Sequence, residues 1–217
     1  MHRIRKITMH LTKFQIEETP RVKRLNIINS VTGIKPANLI GSVSSKGKMN
    51  LAIFSSVFHL GSDPALIAFI SRPSGEVPRH TLENILETKY YTINAIPSSL
   101  VEKAHYTSAK FDRDINEFER CQIESMELDN FLPPFVADSP IKIGMKFEQR
   151  VDISINNTIM IIGSIEHLFV DDHLISKEGY IDLDQANIAG IGGLNNYYSF
   201  EHIGQFPYAR VSETPNF

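Results

Sequence analysis

Residues 38–58 read NLIGSVSSKGKMNLAIFSSVF, and the reading of its middle decides the fold. Gly47-Lys48 invites comparison with the loop that cradles nucleotide phosphates. That loop needs four residues between two glycines, then Lys, then a Ser or Thr whose hydroxyl meets magnesium, all between a strand and a helix. Here five residues separate Gly41 from Gly47, Met49 follows Lys48, and MNLAIFSSVF has no helix start signal. The stretch reads instead as two β-type runs, 38–45 and 49–58, joined by Lys46-Gly47-Lys48. A short glycine-containing connection between such runs makes a hairpin, with glycine in the left-handed position.

The same punctuation continues outward. Asp63-Pro64 marks a turn, and ALIAFI (65–70) is a continuous apolar run that predicts a strand buried on both faces. SRPSGEVPRH (71–80) is a polar loop with two prolines. In TLENILETK (81–89), Leu82, Ile85 and Leu86 fall at helical spacing, with Thr81 as the expected N-cap. YYTINAI (90–96) returns to strand, and Ser98 and Ser99 open a helix. Residues 141–155 and 158–170 form a long hairpin about Asn156-Asn157, and a Gly-rich stretch (189–200) follows. Residues 1–20 read as an N-terminal arm ending at Pro20, where RVKRLNIINSVTG leads to Gly33. The connections between most neighbouring strands are shorter than the ~12 residues a parallel crossover needs. The expectation is a mainly β, α+β fold: an antiparallel barrel of six or seven strands with short helices added. A doubly wound α/β sheet lacks its helices here.

A chain of 217 residues suits a single barrel domain, 1–217. Hydrophobic residues at 42% and charged residues at 22% are ordinary for a globular protein. A formal charge of −3 predicts no general attraction to nucleic acid or to anionic membrane. No apolar run follows the basic N-terminus, so no secretory signal is expected, and no stretch reaches the ~18 apolar residues of a membrane span. Cys121 is the only cysteine. It excludes an internal disulfide and a thiolate-cluster metal site, and a cytoplasmic location is the simplest expectation.

Two groups of residues carry chemistry. The loop 71–80 delivers Arg72, Arg79, His80 and Thr81 to the first turn of a helix, where unpaired N–H groups and the helix dipole attract anions. A phosphate monoester suits that set; a solvated loop with ordinary capping is the alternative. In the run 49–58, alternation sends Asn50, Ala52, Phe54, Ser56 and Phe58 one way and Leu51, Ile53, Ser55 and Val57 the other. A strand offering small residues, backbone amides and aromatics together suits a flat heteroaromatic ligand; a half-wet edge strand is the bland alternative. The charges at 111–119 read as a solvated helix or lid, Asp171-Asp172-His173 as a polar turn without metal, and Cys121 as idle.

These segments, taken in order, resemble the flavin reductase-like proteins of the FMN-binding split-barrel fold, nearest the flavoredoxin-like branch. The resemblance runs through KPANLIGSVSSKGKMNLAIFSSV, DPALIAFI, PRHTLENI, YTINAI, TSAKFDRDINEFE and GIGGLNNYY…FPYAR, across residues 30–210. It implies an antiparallel Greek-key split β-barrel and a homodimer holding FMN near the subunit interface. NADH or NADPH would be a transient co-substrate, and a partner oxygenase or other acceptor would take the electrons. A carrier or binding module of the same fold that holds FMN without catalysis is the alternative. By the same resemblance Asn50 and Ala52 match the family's Asn-x-Ala, and Ser55, Ser56, Val57 and Phe58 its segment along the isoalloxazine ring. Arg72 lies where the next strand ends, Arg79, His80 and Thr81 meet the phosphate, and Lys110 lies in the segment that covers the site. Tyr197 and Tyr198 match an aromatic pair near the ring or on the substrate side. Two departures stand out: Ile53 occupies a position often held by Pro, and His80 replaces a common Asp, which adds a positive charge when protonated. The chemistry would be flavin-borne, with no catalytic side chain.

Overall fold

The computed structural model describes residues 9–73, 75 and 78–216. The chain opens with α1 (Lys13–Glu18) and α2 (Arg21–Ser30), neither of which buries a residue. Thr12 starts α1 with a capping box, its hydroxyl accepting from Gln15 N–H while the Gln15 side chain accepts from Thr12 N–H. The short strand β1 (Lys35–Pro36) leads to β2 (Asn38–Val43) and β3 (Met49–Phe54), which pair antiparallel from Asn38↔Phe54 to Val43↔Met49. The connecting turn is as expected: Gly47 has φ +77°, and Ser44 N–H donates to Lys48 C=O at 2.9 Å.

The run 49–58, expected as one strand, is two. After β3 the chain bends at residues 55–57 and resumes as β4 (Phe58–Ser62), followed by β5 (Ala65–Ser71). The reason lies in the sheet. Helix α3 (His80–Thr88) leads into β6 (Tyr90–Ala95); α4 (Val101–Tyr106) and α5 (Glu117–Arg120) follow, then the small pair β7 (Ser125–Met126) and β8 (Phe135–Val136). The long hairpin of β9 (Ile141–Ile153) and β10 (Thr158–Val170) precedes β11 (Ala189–Gly192) and β12 (Asn196–Ser199). The main sheet runs β3-β2-β6-β9-β10-β5-β4, with every pairing antiparallel. β3 and β4 therefore stand at its opposite ends, and residues 55–57 carry the chain across the opening between them. Ser56 fastens that crossing: its Oγ accepts from Ile70 N–H at 3.2 Å and donates to Ile70 C=O at 2.9 Å. Register shifts at Ile162/Gly163 and Ile165/His167 bend the long hairpin, as bulges do, and let the sheet curl into a barrel.

Two apolar clusters dominate. The barrel interior holds Ile40, Phe69, Tyr91, Ile93, Met145 and Ile161, sealed at one end by Leu82 and Ile85 of α3. A second cluster lies against Leu39 and Leu51 and is covered by Leu100 and Ala104 around α4 and Phe118 of α5. The expectation that β5 is buried on both faces holds only in part: Ala68, Phe69 and Ser71 are buried, and its other positions are exposed or half-buried. The Gly-rich stretch forms β11 and the turn into β12, and joins β1 in a separate three-stranded sheet. A Cβ at Gly190 would meet Ile34 and Phe200 at 2.2 and 2.7 Å, so close packing is the role of that glycine.

Candidate cofactor site

A cavity of about 600 Å³ opens at the split of the barrel, a size typical of small-molecule sites. One wall is β3 and the bend after it: Asn50, Ala52, Ile53, Phe54, Ser55 and Ser56. The end of β5 supplies Ile70, Ser71 and Arg72, and the start of α3 supplies Arg79, His80 and Thr81. Thr107 to Phe111 close a further side, with Lys110 among them, and Asn29, Lys35, Leu194 and Asn195 reach in from the two chain ends.

β3 is an edge strand, so its outward peptide groups are not spent on a neighbour. Leu51 N–H already points that way, donating to Glu117 Oε2 at 3.0 Å. By the period of two, the peptide of Ile53 faces the same side. The strand thus offers hydrogen-bonding backbone beside small side chains, which suits the edge of a planar heterocycle.

The α3 side is built for negative charge. The expected N-cap, Thr81, is not the cap; Arg79 holds that place and no side chain caps the helix. Thr81 is already committed, because Asn50 Nδ2 donates to its hydroxyl at 2.9 Å inside a buried network with Ser42 and Asn84. The uncapped first turn lies beside Arg72 and Arg79, whose Nε donates to Pro73 C=O at 3.2 Å. His80 adds less charge than its type suggests. Burial lowers its pKa, with the nearby Arg113 acting in the same direction and Glu83 and Asp112 opposing, so the neutral imidazole prevails at neutral pH. Ser74, Glu76 and Val77 of the loop 71–80 lie outside the described residues.

Nine of the thirteen expected site residues line this cavity: Asn50, Ala52, Ser55, Ser56, Arg72, Arg79, His80, Thr81 and Lys110. The other four stand elsewhere. Val57 is buried in the barrel core with Phe69, and Phe58 is exposed at the start of β4, because the bend at 55–57 turns the chain away. Tyr197 packs half-buried against the α4–α5 cluster, its hydroxyl hydrogen-bonded to His105 Nδ1 at 3.0 Å. Tyr198 lies over Gly192, where a Cβ would meet its ring at 2.8 Å.

The segment 111–119, expected to be solvated, divides in two. Arg113 pairs with Glu83 of α3 and Asp114 with Lys48 of the β2–β3 turn, both at the surface. Lys48 therefore serves as a tether for the segment that covers the cavity. Glu117, three residues on from Asp114, is 5% exposed and lines the cavity. Burial raises its pKa, against hydrogen bonds from Leu51 N–H and from its own N–H that lower it. Sequence reasoning missed this residue. Its partner Leu51 is 66 positions away, and the charges around it give no local signal of an inward face.

A split barrel whose opening sets an edge strand beside an uncapped helix start and two arginines defines the class: a mainly antiparallel split barrel with a cavity at its opening. The comparisons agree with it. The family model of the flavin reductase like domain matches residues 34–186, and the chain belongs to that family. A candidate flavin reductase with a split barrel domain from Shewanella frigidimarina is 41% identical, with a TM-score of 0.89 over 93% of this chain and all of the other. Nitrilotriacetate monooxygenase component B from Bacillus cereus shares the fold at 17% identity and a TM-score of 0.81, over 93% of this chain and 100% of its own. The flavoredoxin of Desulfovibrio vulgaris (Miyazaki F) does so at 19% identity and 0.67, over 83% and 92%.

Proposed function

We propose that the cavity at the barrel split binds FMN and that the protein is an NAD(P)H-dependent flavin oxidoreductase. The carrying observation is the pairing of two unlike walls in one cavity: the β3 edge with its small residues, and the uncapped start of α3 with Arg72 and Arg79. The first suits the isoalloxazine ring and the second the phosphate. FMN, when bound, supplies the hydride and electron transfer. The chain's part is to bind, orient and shield. Arg72, Arg79 and the N–H groups of α3 hold the phosphate, and neutral His80 adds a ring nitrogen for hydrogen bonding. The Ile53 peptide and the Ser55 hydroxyl face the ring edge, Ser56 holds the bend through its bonds to Ile70, and Lys110 with its neighbours excludes water from one side. Preorganised donors of this kind favour the negative charge of a reduced ring.

A second copy of the chain is proposed to complete the molecule. Among the described residues, α1 and α2 bury nothing yet expose Phe14, Val22, Leu25 and Ile28, and the tail exposes Ile203, Phe206, Tyr208 and Val211. Light scattering on the purified protein tests it, a dimer being expected. A partner oxygenase as electron acceptor is a proposal supported by the likeness to a monooxygenase component. No helix among the described residues is long and apolar enough to cross a membrane, and a cytoplasmic location is proposed.

The purified protein should carry, or take up, one FMN and show the yellow flavin band, which bleaches under anaerobic NADH or NADPH. A protein that takes up no FMN contradicts the proposal. Binding without bleaching by either nicotinamide leaves a carrier instead of an enzyme.

A further inference from the structure

The cavity's charge is unbalanced in a specific way. Among the described residues that line it, Lys35, Arg72, Arg79 and Lys110 are cations and Glu117 is the one acid. Glu117 is also the most enclosed of the six charged or titratable side chains there, at 5% exposure. It has no salt-bridge partner among the described residues. Its carboxylate is held by peptide N–H groups alone, Leu51 N–H reaching Oε2 at 3.0 Å. That bond reaches one oxygen, but no counter-ion neutralises the charge, and a buried carboxylate in that state takes a proton readily.

We infer that Glu117 is the proton store of the cavity: its carboxylate takes up one proton from solvent when a flavin bound there gains two electrons. The inference rests on the FMN reading. On two-electron reduction the ring gains two electrons and one proton and becomes an anion. A second negative charge would then share the cavity with the buried Glu117, and like charges in one site raise the pKa of the weaker acid. One solvent proton forms the O–H bond on the Glu117 carboxyl, and the net charge of the pair is unchanged from the oxidised state.

The neighbours leave this role to Glu117. Cys121, the residue that ends α5, is held protonated, its thiol pKa raised first by burial and then by the Glu117 charge, with Arg120 opposing. His80, across the cavity, disfavours its charged form through burial. Lys35, Arg72, Arg79 and Lys110 are already cationic. Leu51 contributes only its peptide, so protonating the oxygen of Glu117 that does not face Leu51 leaves β3 fastened.

Glu117→Gln separates the proton from the anchor, since the amide carbonyl can still accept from Leu51 N–H. The FMN-loaded wild type and Glu117→Gln are titrated to their midpoint potentials at several pH values. The wild type should take up one more proton per two electrons over the range where Glu117 titrates. That is a tenfold change in the reduction equilibrium per pH unit, or about 30 mV per pH unit for a two-electron couple. Equal slopes overturn the inference. Infrared difference spectra of the wild type serve even if the variant does not fold. A protonated-carboxyl band should appear on reduction, and its absence overturns the inference. Protein that binds no flavin overturns the FMN reading as well, whereas flavin bound with equal slopes overturns the proton store alone.

Discussion

Asn50 on β3 donates a buried hydrogen bond of 2.9 Å to the hydroxyl of Thr81 in the first turn of α3. The bond joins the two walls of the cavity, the edge strand and the helix terminus. It belongs to a small network: Asn50 and Asn84 both donate to Ser42 Oγ, at 3.4 and 3.1 Å, and all four residues are buried.

Asn50→Ala should therefore act on stability and binding together. It leaves the Thr81 hydroxyl without its donor and Ser42 with one donor fewer. Loss of a partner from a buried polar group costs about 1–3 kcal/mol. Denaturant unfolding should show a drop of that order. FMN affinity should fall as well, because the start of α3 is no longer tied to β3. Unchanged stability would mean that the network does not carry the helix.

The phosphate claim has its own signature. Arg72→Ala and Arg79→Ala should each weaken FMN, which has the phosphate, and leave riboflavin, which lacks it, nearly untouched. A hydrogen bond to a charged group contributes about 1.5–3 kcal/mol, which corresponds to roughly tenfold to a hundredfold in affinity. Fluorescence titration with both flavins reads this directly. Equal losses for the two would place the arginines elsewhere on the ligand.

What could be read from sequence follows the range of the interactions involved. The β2–β3 hairpin, α3 and the 141–170 hairpin rest on local signals, and they stand in the structure as expected. The bend at 55–57 does not show in the letters. MNLAIFSSVF alternates well enough for one strand, and the break is imposed by Ser56 meeting Ile70, 14 positions on. Thr81 looks like an N-cap by composition, yet its hydroxyl is claimed by Asn50, 31 positions earlier. Glu117 sits among charges that are exposed, and its burial depends on Leu51 N–H. The two arginines, the histidine and the small residues of β3 converge because the barrel closes there.

Glu117 should also leave a mark on stability without any ligand. Burial raises its folded-state pKa above the ordinary 4.5. The native state then binds more protons than the unfolded state, and its contribution is fully present below pH 4.5 and lost as pH rises through the folded value. Glu117→Gln does not titrate, so the variant should gain on the wild type as pH increases. His80 has the opposite sign. Its pKa is lowered from 6.5 by burial, so its contribution is present above 6.5 and lost on acidification. Urea midpoints of the wild type, Glu117→Gln and His80→Gln over a pH series separate the two trends; parallel curves for the wild type and Glu117→Gln would contradict the first.

Inside the barrel, Tyr91 and Gly163 form a second coupled pair. The Tyr91 hydroxyl is buried and has no hydrogen-bond partner among the described residues, and its pKa is pushed far up by burial. Gly163 on β10 makes room for it, since a Cβ there would stand 2.3 Å from the hydroxyl and 2.8 Å from Lys146 C=O. Removing an unpartnered buried hydroxyl releases its desolvation cost, so Tyr91→Phe should be neutral or stabilise by about 1 kcal/mol. Gly163→Ala should destabilise by about 1–3 kcal/mol through overpacking. In the double variant the hydroxyl contact is gone while the Lys146 carbonyl contact stays, so Tyr91→Phe should recover part of the Gly163→Ala loss. A double-mutant cycle by denaturant unfolding gives the coupling. Strict additivity would show that removing the hydroxyl relieves none of the overlap made by the alanine methyl.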